Sequence, residues 1–307
     1  MAETNDTLGG RVLASYGSHA RVALDTDETL DCGIRGKRLR PVSGDWVRLS
    51  RADGRQAMIE TVAPRRNELA RQKGRAGYQV LAANIELMAV VIAPQPSPEP
   101  GIVDRYLAAA EDMGIAALLV HNKEDLAAGT PPDWVAEFTE IGYPVIHTSA
   151  TSGHGVANLA RRLAGHVAIL VGQSGTGKST LLNRLVGKDV ARTGDISAGT
   201  GEGRHTTTTA FLHPLPGGGG LVDSPGVRDF HPCPVRPERV AGLFREIREA
   251  ATGCRFNDCV HRAEPGCAVR AAVDAGQISA RRYRSYWRMY EQMSGIAERN
   301  PALFGSD

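Results

Sequence analysis

Long apolar runs are missing from the sequence, and none approaches the roughly 18–20 residues of a membrane-spanning helix. Residues 1–6 are polar and acidic and lack the pattern of a secretory signal peptide, so we expect a cytosolic protein with no membrane partner. An excess of charge of one sign is missing too, because the formal net charge is only +2. Overall charge therefore indicates no class of partner.

Cysteine is scarce, and its five copies do not suit a disulfide framework because the total is odd and no signal peptide is present. Three of them lie with one histidine inside a fourteen-residue stretch. Three thiolates and one imidazole can form one closed tetrahedral Zn²⁺ site, whose role is structural because no coordination position remains for a substrate. The predicted zinc ligands are Cys254, Cys259, His261 and Cys267, whereas Cys32 and Cys233 are expected to be ordinary thiols.

Glycine is concentrated in a stretch that follows the apolar run 166–171 and precedes the run 180–186. The pattern Gly-x-x-x-x-Gly-Lys-Ser between a strand and a helix is that of a phosphate-binding P-loop. Its glycines let backbone N–H groups face a phosphate, Lys178 would reach the β- and γ-phosphates, and the Ser179 hydroxyl would bind Mg²⁺. The predicted phosphate-binding residues are Gly172, Gln173, Ser174, Gly175, Thr176, Gly177, Lys178, Ser179 and Thr180.

A second loop predicts which nucleotide is bound. The apolar run 116–120 is followed by Asn122, Lys123 and Asp125. In this arrangement the Asp125 carboxylate would accept hydrogen bonds from two donors that guanine presents and adenine does not, each contributing on the order of 1.5–3 kcal/mol. Asn-Lys-x-Asp alone is a weak signal, but beside a P-loop it indicates GTP strongly.

Two further loops complete the predicted site. The apolar strand 143–147 is followed by Ser149 and Ala150, where a small residue and a backbone N–H could approach the guanine carbonyl. The strand that begins at Leu221 ends in an Asp-x-x-Gly pattern. Within it, Asp223 would hold Mg²⁺ through water and the Gly226 N–H would sense the γ-phosphate.

The order of these loops differs from that of most GTPases, which place the P-loop first and the guanine-reading loop last. Here the guanine loop and the Ser-Ala loop precede the P-loop, and the Asp-x-x-Gly loop follows it. The order predicts a circularly permuted domain, a change tolerated where native termini lie close together on the surface. It also connects the Mg²⁺-binding segment directly to the C-terminal part of the chain.

Residues 193–209 are rich in glycine and lack periodicity, which predicts a switch loop that orders around the γ-phosphate and Mg²⁺. One of the threonines at 206–208 is expected to complete the Mg²⁺ shell; the sequence does not distinguish among them, and Thr207 is taken as the candidate. Val227 stands where many GTPases have a water-orienting Gln, so intrinsic hydrolysis should be slow. His205 is the nearest polar candidate for the catalytic role, and the alternative is a loop histidine without one.

The N-terminal residues 9–62 contain five short segments that alternate at period two, a pattern typical of a small Greek-key barrel of the OB type. Between residues 35 and 75, twelve basic side chains stand against four acidic ones, a local excess of +8. An RNA-binding face is favoured over a merely solvated surface. The twelve are Arg35, Lys37, Arg38, Arg40, Arg48, Arg51, Arg55, Arg65, Arg66, Arg71, Lys73 and Arg75.

Strands alternate with helices after a polar connection that extends to residue 78, which predicts a largely parallel sheet covered on both faces. Residues 236–251 and about 268–296 are predicted to be helices. The second contains arginines interleaved with aromatics over 280–290, which suits either RNA stacking or an aromatic core stripe with an arginine outer face. The predicted domains are a barrel at 1–66, a GTPase domain at 80–232 and a helical zinc-binding domain at 233–307.

A basic OB-type barrel, a permuted α/β P-loop GTPase domain and an α-helical Cys3His segment, in this order, resemble the RsgA/YjeQ family of small-subunit-dependent GTPases. The resemblance covers nearly the whole chain and includes the motif 203–208 and the Glu-Pro-Gly-Cys ending at Cys267. It implies a GTPase of late small-subunit maturation that binds the small ribosomal subunit and its rRNA in the GTP form, hydrolyses GTP to GDP when stimulated, and dissociates. It also favours His205 as the hydrolytic residue. We expect a monomer.

Two other functions fit the same motifs. One is a metallochaperone whose GTPase activity delivers zinc from the Cys/His cluster. The other is an RNA-binding switch that acts outside the ribosome. Turnover stimulated by ribosomal particles, but not by bulk RNA, distinguishes the ribosomal function from this second alternative.

Overall fold

The computed structural model describes residues 6–26, 28–36, 38–51, 57–73, 77–126, 132–187, 210–223 and 234–304. The predictions for His205, Thr207, Gly226 and Val227 lie outside the described residues, as does Cys233. Within the described ranges, no helix is both long and apolar enough to cross a membrane.

Five N-terminal strands form a closed barrel, as predicted. The first strand pairs antiparallel with the second and the fourth, the second pairs with the third, and the fifth closes the ring by pairing parallel to the third and antiparallel to the fourth. Alternate residues such as Val22, Leu49 and Ile59 point inward and are fully buried. The strands are β1 (Asp6–Ser15), β2 (His19–Leu24), β3 (Thr29–Ile34), β4 (Trp46–Arg51) and β5 (Met58–Val62).

A β-hairpin occupies the stretch predicted to be a polar connection. Strands β6 (Glu68–Lys73) and β7 (Gly77–Ala83) pair antiparallel. Buried Leu69 and Leu81 lie among the polar residues and provide the hairpin with an apolar face. The prediction was wrong here because the polar stretch contains few apolar residues. Their alternation with polar residues is too weak to indicate strands.

The central domain is built on the predicted parallel sheet, whose strands run in the order β10, β9, β8, β11, β13, with β12 antiparallel at the end. Along β8, alternate residues belong to two separate apolar cores, one on each face of the sheet. The strands are β8 (Leu87–Ile92), β9 (Ala116–His121), β10 (Val145–His147), β11 (Val167–Val171), β12 (Phe211–Pro214) and β13 (Gly220–Asp223). The helices are α1 (Pro100–Met113), α2 (Trp134–Glu140), α3 (Val156–Leu163) and α4 (Lys178–Val186).

The barrel is joined to this sheet edge to edge. Strand β12 pairs with β13 on one side and with β1 on the other, where Ala14 is opposite Phe211. Backbone pairing therefore continues from the central sheet into the barrel.

The C-terminal part is helical, but each of the two predicted helices is interrupted. Phe244 is extended and fully buried, and it separates a 3₁₀ helix from α5 (Arg245–Ala251). Gly276, with a φ of 73°, and buried Ile278 separate α6 (Ala268–Asp274) from α7 (Ala280–Arg299), and Ser279 caps α7. At each break, the free energy gained by burying one apolar side chain between helices exceeds the cost of interrupting the helix. The elements are the 3₁₀ helix Pro237–Leu243, α5 (Arg245–Ala251), α6 (Ala268–Asp274), α7 (Ala280–Arg299) and a last 3₁₀ turn at Pro301–Phe304.

Candidate nucleotide-binding site and metal cluster

The predicted P-loop lies between β11 and α4, at the carboxyl edge of the sheet. Residues 172–177 form the loop, and α4 begins at Lys178. A Cβ atom at Gly172, where φ is 140°, would lie 2.2 Å from the Val91 carbonyl oxygen, and one at Gly177 would lie 2.4 Å from Asn122 Nδ2. Only glycine fits these two positions, so the loop can pack directly against the ends of neighbouring elements.

Hydrogen-bond donors and a positive charge lie close together at the P-loop. Lys178 Nζ donates to the carbonyl oxygens of Gly172 and Gln173, each at 2.6 Å, so the ammonium group lies over the loop. Ser179 and Thr180 are exposed in the first turn of α4. An anion at this position would meet an ammonium group and the positive end of a helix dipole.

Asn122 connects three loops of the predicted site. It is fully buried, and its Nδ2 donates to the Thr176 carbonyl oxygen of the P-loop at 2.9 Å. Its Oδ1 accepts hydrogen bonds from Thr148 Oγ1 at 3.0 Å and from the Ala150 N–H at 3.1 Å. The loop after β9, the loop after β10 and the P-loop are thereby held together as one unit.

Asp125 is exposed beside this unit and is oriented by a neighbour. The Ser149 hydroxyl donates to Asp125 Oδ1 at 2.5 Å, and Ser149 Oγ accepts the Ser152 N–H at 3.1 Å. Lys123 has a positive φ of 62°, and its Nζ donates to the Gln95 carbonyl oxygen at 2.9 Å.

The residues predicted to bind Mg²⁺ are only partly within the described ranges. Asp223 ends β13, which pairs parallel with β11 immediately before the P-loop. A carboxylate and the Ser179 hydroxyl are hard oxygen donors, the type that Mg²⁺ prefers, so these two residues fit the ion.

Four contacts near the site were missed from the sequence. Arg184 of α4 donates to the carbonyl oxygens of Ala150 and Thr151. Glu124 lies 3.3 Å from His154 Nε2 and 3.8 Å from His147 Nδ1. No local pattern marks contacts between residues so far apart in the chain.

His121 is buried directly before Asn122, edge-on to the ring of His147. Burial, with a smaller contribution from His147, holds the pKa of His121 below its ordinary value. The ring is therefore neutral at pH 7, which suits its apolar surroundings.

The Cys/His cluster is assembled as predicted. The ligand atoms of Cys254, Cys259, His261 and Cys267 all lie within 4.8 Å of one another. The Sγ atoms of Cys254 and Cys267 are each 3.6 Å from His261 Nδ1. Tetrahedral Zn²⁺ with Zn–S bonds of about 2.3 Å and Zn–N bonds of about 2.05 Å requires an S···N separation of about 3.6 Å, so the donor set fits one zinc ion.

The loop that carries His261 is held by hydrogen bonds to the Glu264 carboxylate. Glu264 accepts hydrogen bonds from the N–H groups of Val260, Arg262 and Ala263 at 2.7–3.0 Å. Although burial opposes it, this backbone donation holds the pKa of Glu264 below its ordinary value. Burial lowers the pKa of His261 itself, which keeps its imidazole neutral, as a metal ligand requires.

Tyrosines of α7 hold the same loop from the helix side. The Tyr283 hydroxyl donates to the His261 carbonyl oxygen at 2.6 Å, and the Tyr286 hydroxyl donates to the Val260 carbonyl oxygen at 2.8 Å. Of the two interpretations of this aromatic stripe, the structure therefore favours the core.

Most arginines of α7 also have structural partners. Arg282 is 2% exposed and is bonded to Asp104 and Glu246, while Arg281 is bonded to Asp104 and Glu137. Arg284, Arg288 and Arg299 are exposed.

On the predicted basic face, three of the six arginines whose side chains the structure describes have carboxylate partners. Arg35 pairs with Glu60, Arg66 with Glu86, and Arg65 with both Asp45 and Glu68. Exposed positive charge remains at Arg38, Arg40 and Arg48. The exposed cationic face is therefore smaller than the count of basic residues indicates.

The RsgA GTPase family model matches residues 62–232. The chain is 40% identical over 302 residues to the small ribosomal subunit biogenesis GTPase RsgA 1 of Vibrio vulnificus (strain YJ016), covering 95% of this chain and 86% of the relative. It is 41% identical over 286 residues to the small ribosomal subunit biogenesis GTPase RsgA of Azotobacter vinelandii, covering 90% and 83% respectively.

Two solved structures have the same fold over nearly their whole length. YjeQ from Thermotoga maritima has a TM-score of 0.75 and 29% identity, covering 94% of this chain and 99% of that one. YloQ, described as a circularly permuted GTPase, has a TM-score of 0.74 and 23% identity, covering 97% and 98%. The predicted permuted order is confirmed, and the chain belongs to the RsgA GTPase family.

Proposed function

We propose that the chain binds GTP with Mg²⁺ and hydrolyses it to GDP and phosphate during biogenesis of the small ribosomal subunit. The observation that carries the proposal is the bond from Asn122 to Thr176, which joins the guanine-reading loop to the P-loop across 54 residues. The proposed GTP-binding residues are Asn122, Lys123, Asp125, Ser149, Ala150, the loop and helix start 172–180, Asp223 and Gly226.

Guanine selection is assigned to Asp125. Its carboxylate is held by the Ser149 hydroxyl, so it is oriented before the nucleotide arrives. Adenine would leave this carboxylate without its two donors, a loss on the order of 1.5–3 kcal/mol for each charge-assisted bond. The phosphates are assigned to the P-loop, where Lys178 would exchange its two carbonyl acceptors for phosphate oxygens.

Ser179, Thr207 and Asp223 are the proposed residues for Mg²⁺, an ion that neutralises phosphate charge when bound. We assign His205 the role of orienting the attacking water, since Val227 lacks a polar group for it. The chemical step is then expected to be slow in the absence of a partner.

The proposed partner is the small ribosomal subunit with its rRNA, bound in the GTP form and released after stimulated hydrolysis. The names of the relatives support this partner, and the exposed arginines of the barrel suit a phosphate backbone. This setting also accords with the expected cytosolic location.

We assign the Cys/His cluster a structural Zn²⁺. Four ligands that converge on one point, two of them buried, suit an ion that stays bound and do not favour delivery of zinc to another protein.

The experiment that tests the proposal is multiple-turnover GTP hydrolysis by the full chain, alone and with small subunits, large subunits or unrelated RNA. Lys178→Ala supplies the background rate. Asp125→Asn tests the base assignment separately, because an asparagine amide can donate to the 2-oxo group of xanthine, so the preference should move from GTP towards XTP.

Stimulation by small subunits alone is the expected result. Equal stimulation by bulk RNA would favour a switch that acts outside the ribosome. If Asp125→Asn kept its preference for GTP, the guanine assignment would be wrong whatever the partner.

A further inference from the structure

Arg184 bridges the phosphate-binding helix and the loop that orients the guanine-reading carboxylate. It lies in the last turn of α4, whose first residue is Lys178. Its Nε donates to the Ala150 carbonyl oxygen at 3.0 Å, and its Nη2 donates to the Thr151 carbonyl oxygen at 2.8 Å. One planar guanidinium therefore holds two successive carbonyl groups of this loop.

The loop held by Arg184 is the one that orients Asp125. Ser149 immediately precedes the two carbonyl groups, and its hydroxyl donates to Asp125 Oδ1 at 2.5 Å. Ala150 is also bonded through its N–H to Asn122 Oδ1. A chain of contacts therefore extends from α4 through Arg184 to the loop and on to Asp125.

The two attachments of the loop differ in kind. Asn122 holds it from inside and is fully buried, whereas Arg184 holds it from the solvent side. On the buried side, Asn122 Oδ1 and the backbone groups of His121 and Glu124 hold Thr148 and Ala150. Arg184 adds an attachment at the carbonyl groups of Ala150 and Thr151, which limits movement of the loop and so keeps Ser149 in register with Asp125.

Resting on the GTP assignment above, we propose that Arg184 is a positioning residue for guanine specificity. It touches neither base nor phosphate, and it acts by holding residues 149–151 so that Asp125 presents its carboxylate to the guanine 2-amino group. Without Arg184, the phosphates would still bind, but the 2-amino group would be recognised less well.

The test compares dissociation constants for GTP and for ITP, which lacks the 2-amino group but retains the 6-oxo group. Arg184→Met keeps the apolar length and removes both donors, and we expect the GTP preference over ITP to fall by about three- to tenfold. Arg184→Lys keeps one donor and should recover part of the preference. The matched control is Arg162→Met, on the exposed face of α3, which should leave the preference unchanged.

The outcomes separate the inference from the proposed function. If the wild-type chain does not prefer GTP to ITP, the guanine assignment itself fails. If the wild-type chain prefers GTP and Arg184→Met weakens both nucleotides by the same factor, Arg184 has only a structural role and the inference is overturned. A thermal midpoint measured for each variant identifies any general loss of folding.

Discussion

The central domain is attached to its two neighbours by different physical means. The barrel is attached through backbone groups, with β1 paired to β12 and the Ser43 hydroxyl donating to the carbonyl oxygens of Leu13 and Ala210 at 3.0 and 2.6 Å. The C-terminal helices are attached through buried charges, among which Arg282 is bonded to Asp104 at 2.7 Å.

Because the two junctions differ in this way, we expect them to respond differently to single substitutions. Backbone pairing depends little on side-chain identity, so single substitutions should weaken the barrel junction modestly. A buried ion pair leaves an uncompensated charge when one partner is removed, so the C-terminal junction should be sensitive to single residues. Arg281 and Arg245 add further ion pairs to Asp104, Glu137 and Glu111 on the same side.

The largest effect is expected from Cys267→Ser, which should abolish metal binding and unfold the C-terminal helices. The reason is that zinc contributes on the order of 10–16 kcal/mol to folding in small zinc modules. Zinc content and hydrogen exchange of residues 234–304 measure the result. Cys32→Ala, a buried thiol of the barrel, should keep its zinc. Full zinc occupancy in Cys267→Ser would contradict the assignment.

Arg282→Met should lower the free energy of unfolding by about 3–5 kcal/mol, because Glu246 and Asp104 would lose a buried partner. Calorimetry of the intact chain measures it. Arg284→Met, on the exposed face of the same helix, should change stability by no more than about 0.5 kcal/mol. Equal losses in the two variants would mean that the buried network does not hold the junction.

Glu111→Gln should cost about 1.5–3 kcal/mol at pH 7, the contribution of hydrogen bonds to a charged group. Despite burial, which raises it, bonds from Arg245 and Arg248 hold the pKa of Glu111 below its ordinary value. A lowered carboxyl pKa contributes stability that is fully present above the unfolded value of about 4.3 and is lost as pH falls further.

The difference between wild type and Glu111→Gln should therefore shrink as pH falls below about 4.3. Thermal midpoints measured in parallel from neutral to acidic pH follow it. A difference that stays constant across this range would show that the Glu111 charge does not support the junction.

The smallest effect is expected at the barrel junction. Ser43→Ala should cost about 1 kcal/mol for the loss of its hydrogen bonds, and the cost should not vary with pH because a hydroxyl does not titrate in this range. Urea unfolding measures it, with exposed Ser18→Ala as the control. If Ser43→Ala lowered the free energy of unfolding as much as Arg282→Met does, the two junctions would not differ in their sensitivity to single substitutions.

The parts predicted well are those whose signal is local. The P-loop depends on glycines at fixed offsets, the Cys/His cluster on four residues within a stretch of fourteen, and the barrel on alternation within short strands. The residues that define each feature lie close together in the chain, so the sequence alone is enough to identify the feature.

The parts predicted poorly depend on distant residues. The sequence places Arg282 either in contact with RNA or on the outer face of a helix, yet it is buried because Asp104, 178 residues away, supplies its counter-charge. The predicted helix 268–296 is broken because Ile278 is buried in the C-terminal core. Burial of a side chain cannot be deduced from its own stretch of sequence when the covering residues lie elsewhere.

The sequence by itself determined which motifs this protein carries: a P-loop pattern between a strand and a helix, an Asn-Lys-x-Asp stretch, three cysteines and a histidine within fourteen residues, and a permuted order. Only the tertiary structure decided how these parts are joined, through Asn122 and Thr176, through Ser43 and Ala210, and through Arg282 and Asp104. The physical reason is that motifs arise from covalent spacing, whereas a hydrogen bond or ion pair between distant residues exists only after packing has brought its two groups together.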